Sequence, residues 1–388
     1  MTASTPDAPR PIVDIIWSLT LVCPWDCGMC CVDAVHVRRS REGVVITSES
    51  LGTREVIPAT RLESPDVYEF AARVRQERGL ELTLDQKLAV LDNLAGYDAK
   101  IDFSGGDPMI QRENLTVMQA ASERFGQRNV TMTATGAGLA RQEIDVLAPI
   151  LGELNFTYDS PAAGVGDLRP ERYAYDNLKH AAEFARAGVR VRAECPLTTR
   201  NCDTSILTAI YLSLAEAGIK KLLIMRLFPS GRGSSVASMT PSRDQYKIAI
   251  EHLRALEREF GGPEVRLQCA LRHMEGTTSS DGGNPCDLMR KSFGLLTDGT
   301  LLASPWAVNR VGLPINDDWV LGNLAATPLG EIFRTTKSRA YRARLDENYG
   351  HCKIFAFAAS TREGADKIFD STDPLYLESA VTAPGAAV

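Results

Sequence analysis

Six apolar, β-rich runs alternate with helical patterns along most of the chain, and this alternation limits the fold more than any other feature. The runs are Ile12–Val22, Ala99–Ser104, Asn129–Thr133, Glu153–Tyr158, Val189–Glu194 and Lys221–Phe228. Helical patterns stand at Leu84–Leu94, Glu113–Phe125, Leu139–Ile150, Glu171–Ala187, Thr204–Ala217 and Ser242–Phe260. Thr83 and Gln86 form a capping-box pair, and Gly188 and Gly218 fall where a helix must stop before the next strand. Strands joined through helices pair in parallel by right-handed crossovers, so the series predicts an α/β fold. Its length favours a curved sheet, a partial (β/α)6 TIM-like barrel, over a short open one.

The 388 residues exceed one ordinary domain, and a smaller C-terminal α+β domain is expected after the barrel. The expected organisation is a flexible N-terminus over 1–11, a core over 12–240, a linking helix over 241–260, a C-terminal domain over 261–375 and a tail over 376–388. Residues 32–82 form an insertion with a β-like patch at Gly43–Thr47 and a charged helical patch at Asp66–Arg78. A connection this long is usually functional, and its start beside a cysteine-rich loop points to an active-site flap. The net charge of −6, with no basic block, gives no support to a nucleic-acid partner. No run approaches the roughly 18 apolar residues of a membrane span, and the N-terminus lacks the plan of a signal peptide. Nine cysteines, an odd number, argue against a disulfide framework and for a reducing, cytoplasmic setting.

Cys23, Cys27 and Cys30 stand in a C-x3-C-x2-C run directly after the first apolar stretch. Three thiolates on one loop can hold three irons of a cubane [4Fe–4S] cluster and leave the fourth iron open to a substrate. Zinc pairs and redox dithiols also use C-x2-C. Zinc would want a second such pair, which the sequence lacks, and a dithiol has no use for Cys23. Cys31 adjoins Cys30 too closely to ligate beside it and reads as structural. Other unusual motifs also fall at strand ends, the rim where a parallel barrel gathers its reactive groups. They are Ser104-Gly105-Gly106-Asp107-Pro108, Thr135-Gly136, Asp159-Ser160, and Arg226 with Pro229-Ser230-Gly231-Arg232-Gly233. Gly105 and Gly106 permit close backbone approach to a ligand, and Asp107 offers an anionic acceptor to an ammonium group.

Together these motifs resemble the radical S-adenosylmethionine (SAM) superfamily, and further that part of it with SPASM or twitch C-terminal domains. The resemblance implies that Cys23, Cys27 and Cys30 hold a [4Fe–4S] cluster. It implies that Gly105, Gly106 and Asp107 hold the methionine end of SAM, and that Thr157, Asp159 and Glu194 line its ribose and carboxylate side. Met29 stands where the family usually has an aromatic residue near adenine, and Asp107 where it has glutamate. The implied reaction is reductive cleavage of SAM to a 5′-deoxyadenosyl radical that abstracts hydrogen from substrate. Flavodoxin or ferredoxin would be the electron donor.

In the C-terminal region Cys269, Cys286 and Cys352 are candidate ligands of a second Fe–S cluster. Ser304 and Phe355, however, occupy places where the family pattern has cysteine. Cys195 and Cys202 read as packing residues, and His36, His273 and His351 show no partner spacing for catalysis. The expected function is modification of a ribosomally made peptide in natural-product maturation. A dehydrogenase, epimerase or dehydratase acting on a sugar, aminocyclitol or nucleoside is the alternative, and a non-catalytic metal-binding scaffold a distant one. Eleven residues precede the first run, so no leader-binding domain is expected in front of it, and peptide recognition would call on a separate protein or the 32–82 insertion.

Overall fold

The computed structural model describes residues 10–58, 60, 66–161, 168–275, 286, 288–345, 347, 352–364, 366–369 and 371–377. Residues 1–9, Asn284, Pro285, His351 and the tail from 378 lie outside them.

The β-rich runs form consecutive parallel strands. β1 (Ile12–Thr20) is separated by a residue from the short β2 (Val22–Cys23), and the insertion adds β3 (Val35–Arg39), β4 (Gly43–Ser48) and β5 (Thr53–Pro58). The series resumes with β6 (Asp98–Gly105), β7 (Val130–Thr133), β8 (Glu153–Thr157), β9 (Val191–Leu197), β10 (Lys221–Arg226) and β11 (Glu264–Leu267). β6 pairs with β1 through Ile15–Ile101 and Trp17–Phe103, and each later strand joins the one before it, all in parallel. On the far edge of β1 lies β12 (Ser292–Leu295), parallel to it, followed by β13 (Thr300–Leu302) and β14 (Val320–Asn323) as an antiparallel meander. The C-terminal strands therefore extend the barrel sheet instead of starting another.

The strands alternate with a period of two. Along β9 the buried Val191, Ala193, Cys195 and Leu197 face the helices. Arg192, Glu194 and Pro196, on the other face, line a central cavity. A closed barrel fills that interior with apolar layers. Here Asp102, Ser104, Thr133, Thr157, Arg192 and Glu194 point into it, which leaves a polar chamber.

Helices α1 (Val67–Glu77), α2 (Leu84–Asn93), α3 (Glu113–Phe125), α4 (Gly136–Leu139), α5 (Ile144–Leu147), α6 (Tyr173–Arg186), α7 (Thr204–Glu216) and α8 (Arg243–Phe260) connect these strands. Both halves of the Thr83–Gln86 capping box are made, and Ser242 with Gln245 repeats it at α8. The pattern Leu139–Ile150 is not one helix. Gly138 is drawn to Asp107 and fixes a separate first turn, and Glu143 is extended, so the segment breaks into α4 and α5. β11 is a parallel strand that the sequence pattern missed, because four residues with two charges among them carry too short an apolar run.

The insertion is a small folded unit. β2, β3, β4 and β5 make a four-stranded sheet, and α1 packs on it through Val67, Phe70, Ala71 and Ala72 against Val22, Val37, Val44 and Ile57. Asp66 caps α1 by accepting from the amides of Tyr68 and Glu69. No helix among the described residues is long and apolar enough to cross a membrane.

Candidate active site

The cysteine loop begins where β1 ends, and two features fix that point. Buried Glu81 accepts from the Thr20 hydroxyl and the Leu21 amide, both at 2.9 Å. The turn after β6 then grips the backbone: Gly106 N donates to Thr20 O at 2.7 Å and Asp107 N to Val22 O at 3.0 Å. A Cβ on Gly105 would lie 2.2 Å from Thr20 O, and one on Gly106 2.3 Å from Val22 O. Gly105 also has φ +117°, a conformation that favours glycine. Both glycines are thus demanded by the chain's own backbone, not only by a ligand as the sequence suggested.

Cys23, Cys27 and Cys30 line one cavity of about 890 Å3, and none of the nine cysteines is in a disulfide. Each of the three thiols accepts from one nitrogen donor. Cys23 takes the Trp25 amide, Cys27 the Arg169 guanidinium, and Cys30 the Ala34 amide at 3.3 Å. Burial pushes the Cys27 thiol up to about 11 and Cys23 well up, with the neighbouring thiols adding repulsion. Three sulfurs, Cys23 and Cys27 buried and Cys30 partly so, that repel one another while N–H groups point at them are suited to a cationic centre. Among the described residues no three His, Cys, Asp or Glu side chains are gathered tightly enough for a single metal ion. Desolvation raises Cys31 to about 12.

The other candidate residues divide. Met29, Gly105, Gly106, Thr157 and Glu194 line the cavity; Asp107 and Asp159 do not. Asp107 is fully buried, and its carboxylate accepts from Thr135 Oγ1, from Met109 N at 3.1 Å and from Gly138 N at 3.0 Å. These contacts and its burial keep the carboxylate out of the lining of the cavity. Asp159 accepts from Nε and Nη2 of Arg169 at 2.9 and 2.7 Å. Arg169 therefore stands between Asp159 and the cavity, beside Cys27 and over the Tyr173 ring at 4.9 Å. No motif marks Arg169 in the sequence, so it escaped notice there. Deeper in, Glu194 pairs with Arg192 at 2.9 Å. Asp102, on β6, is raised to about 6 by burial and then by Glu194.

The Pro229–Gly233 turn closes the rim over the cysteine loop. Arg232 N donates to Cys30 O at 2.8 Å, and its Nε to Cys27 O at 2.8 Å. Beside it Phe228 stacks on Trp306 at 4.3 Å and meets Phe355 at 5.0 Å. Arg226 lies over the Phe355 ring at 3.4 Å and pairs with buried Asp373 at 2.6 Å. The place of an expected fourth cysteine is thus packed aromatic surface, and Ser304 Oγ accepts from Trp306 N at 3.3 Å. Cys352 is buried near Cys286, which helps raise it to about 12, whereas Cys269 lines the cavity. Among the described residues, the groups around Cys269 and Cys352 do not gather these three cysteines into a second ligand set.

No protein-family model matches the chain. Among curated proteins it is 24% identical over 196 residues to Fe-coproporphyrin III synthase of Methanosarcina barkeri, covering 48% of this chain and 47% of that one. It is 24% identical over 200 residues to GTP 3′,8-cyclase of Ectopseudomonas mendocina, covering 47% and 57%. The chain thus spans about half the length of the curated relatives it matches. Among solved structures, Streptococcus suis SuiB bound to precursor peptide SuiA aligns with TM-score 0.62 and 12% identity, over 94% of this chain and 76% of that one. Native anSMEcpe with bound AdoMet and Cp18Cys peptide aligns with TM-score 0.59 and 13% identity, over 96% and 95%. These two likenesses are of fold.

Proposed function

We propose that the chain, which belongs to the radical SAM superfamily, is an enzyme that reductively cleaves SAM and abstracts hydrogen from a ribosomally made peptide during its maturation. The observation that carries the chemistry is the cysteine site: three thiols, two buried and one partly so, each with an N–H donor, facing one chamber. A [4Fe–4S] cluster held by Cys23, Cys27 and Cys30 supplies, when bound, the single electron that breaks a sulfonium bond of SAM and so the means of hydrogen abstraction. The donors from Trp25, Arg169 and Ala34 stabilise the thiolate form of its ligands. Gly105 and Gly106 present their backbone where the methionine end would lie, and Thr157 and Glu194 give polar contacts to the rest of the cofactor. Met29 offers a soft apolar surface for its base. The apolar wall of Met225, Leu227, Phe228 and Trp306 keeps water from the reacting centre.

A chamber of about 890 Å3 has room for a cofactor and a substrate side chain together. The peptide reading draws support from SuiB and anSMEcpe, each aligned along nearly this whole chain in a structure that holds a peptide. Flavodoxin or ferredoxin would be the electron donor. Residues 261–375 act, in this reading, as a twitch- or SPASM-like unit that holds no second cluster. The names of the two curated relatives, which denote a porphyrin and a nucleotide, favour a second reading, a dehydrogenase, epimerase or dehydratase on a small molecule.

Anaerobically reconstituted protein given dithionite and SAM is expected to release 5′-deoxyadenosine, and Cys27→Ala to abolish release. No product from the wild type would sink both readings. A mass change in a short peptide encoded beside the gene supports the first reading, and turnover of a sugar or nucleoside instead overturns it.

A further inference from the structure

We propose that Arg232 is a positioning residue that holds the cysteine loop in shape and raises the reduction potential of the cluster bound there. The inference rests on the cluster reading above and adds a role for one side chain within it. Arg232 is only 5% exposed and lines the cavity. Its guanidinium spans the segment that carries Cys30: Nε donates to Cys27 O at 2.8 Å, and Nη1 donates to Ala34 O at 2.9 Å and to Asp33 Oδ1 at 3.1 Å. Its own amide takes Cys30 O at 2.8 Å. The preceding Gly231, at φ +52°, has no space for a side chain, since a Cβ would lie 2.5 Å from Cys30 O. One planar fork therefore ties positions 27, 33 and 34 together, which lysine cannot reproduce, while the main-chain amide of Arg232 holds position 30.

The electrostatics follow from the same placement. Nη2 of Arg232 is buried and has no hydrogen-bond partner among the described residues. A buried cation with an unused donor is stable only beside negative charge or an acceptor. Three thiolates and a reduced cluster would supply that charge, and a fixed cation beside them favours the added electron. Asp33, 3% exposed, offsets part of the charge.

Three variants separate charge from geometry. Arg232→Gln is expected to move the midpoint potential, read by EPR-monitored titration, to a more negative value and to speed chelator removal of iron about ten- to a hundredfold. Arg232→Lys keeps the charge and loses the fork, so iron release quickens while the potential stays near the wild-type value. Asp33→Asn still accepts from Arg232 but removes the offsetting charge, so the potential becomes less negative. Wild-type potential and iron release in Arg232→Gln would overturn the proposal; if that variant fails to fold, an unchanged or more negative potential in Asp33→Asn overturns it. A wild type that takes up no cluster overturns the functional reading and the potential with it. The positioning half is still tested in the apoprotein, where Arg232→Gln or Arg232→Lys must speed amide exchange over residues 27–34.

Discussion

The Asp107 carboxylate is enclosed by the Thr135 hydroxyl and by the amides of Met109 and Gly138, with no exposed surface. Burial raises its pKa and these donors oppose the rise, as expected of a carboxylate held for structure. Asp107→Ala strands two buried amides, each costing roughly 1–3 kcal/mol. Urea unfolding should show a loss on the order of 3 kcal/mol. Weaker SAM binding at unchanged stability would restore the ammonium role instead. Asp102 is the opposite case, a carboxyl open to the chamber and raised to about 6. Its folded pKa exceeds the unfolded value, so the folded state binds the extra proton between about pH 4 and 6. Stability from this group is therefore present below that window and lost as pH rises through it. Relative to Asp102→Asn, the wild type should lose roughly 3 kcal/mol across the window, and parallel stability–pH curves would refute the shift. The groups facing it that also shape this curve are Glu194, Arg192 and Lys100. Cysteine spacing and paired glycines were legible because they are local patterns. Arg169 was not, because its place beside Cys27 depends on a meeting of strand ends that no local spacing records.

At the scale of elements, the strand order could be read because alternation and helix stops are set by neighbours in sequence. Gly188 and Gly218 do end their helices at positive φ. The insertion was harder to read. Its patches gave one strand and one helix, yet it folds as three strands and α1, joined to β2, around a small apolar cluster. Cross-strand pairing made the difference: β5 finds its partner in β4, and β3 lies between β2 and β4. Because β2 ends in Cys23 and pairs with β3, this sheet also holds one edge of the cysteine loop. Val37 is fully buried in the cluster. Val37→Ala should cost about 1–3 kcal/mol. Amide exchange should then quicken over residues 35–58 while β6 keeps its protection. Equal loss of protection in β6 would mean that insertion and barrel open as one unit.

On the scale of the whole molecule, the C-terminal strands close on the first strand of the chain, with Asp14 opposite Ser292 and Trp17 opposite Leu295. That arrangement brings the 305–313 segment and Phe228 to the same rim as the cysteine loop, where Gly312 lies so near that a Cβ would be 2.6 Å from Val32 O. The buried Arg226–Asp373 pair ties the end of the described chain to β10. Removing one member of such a pair leaves an uncompensated buried charge, so the C-terminal segment is held to the barrel and not merely adjacent to it. The same packing bears on the metal content expected of the chain. A second cluster would need thiolates where Phe355 lies between Phe228 and Arg226, and where Ser304 is engaged by the Trp306 amide. Displacing these groups would break an aromatic stack and uncover the Arg226 face, with no new sulfur in return. Cys352 is raised to about 12 by burial and by Cys286, and Arg226 opposes that rise less strongly than burial and Cys286 drive it. Anaerobic reconstitution should therefore give about four irons per chain, in keeping with one cubane cluster. Cys27→Ala should remove nearly all of that iron, and Cys352→Ala should leave it in place. About eight irons in the wild type, or loss of half its iron in Cys352→Ala, would mean that the C-terminal cysteines rearrange to hold a cluster of their own.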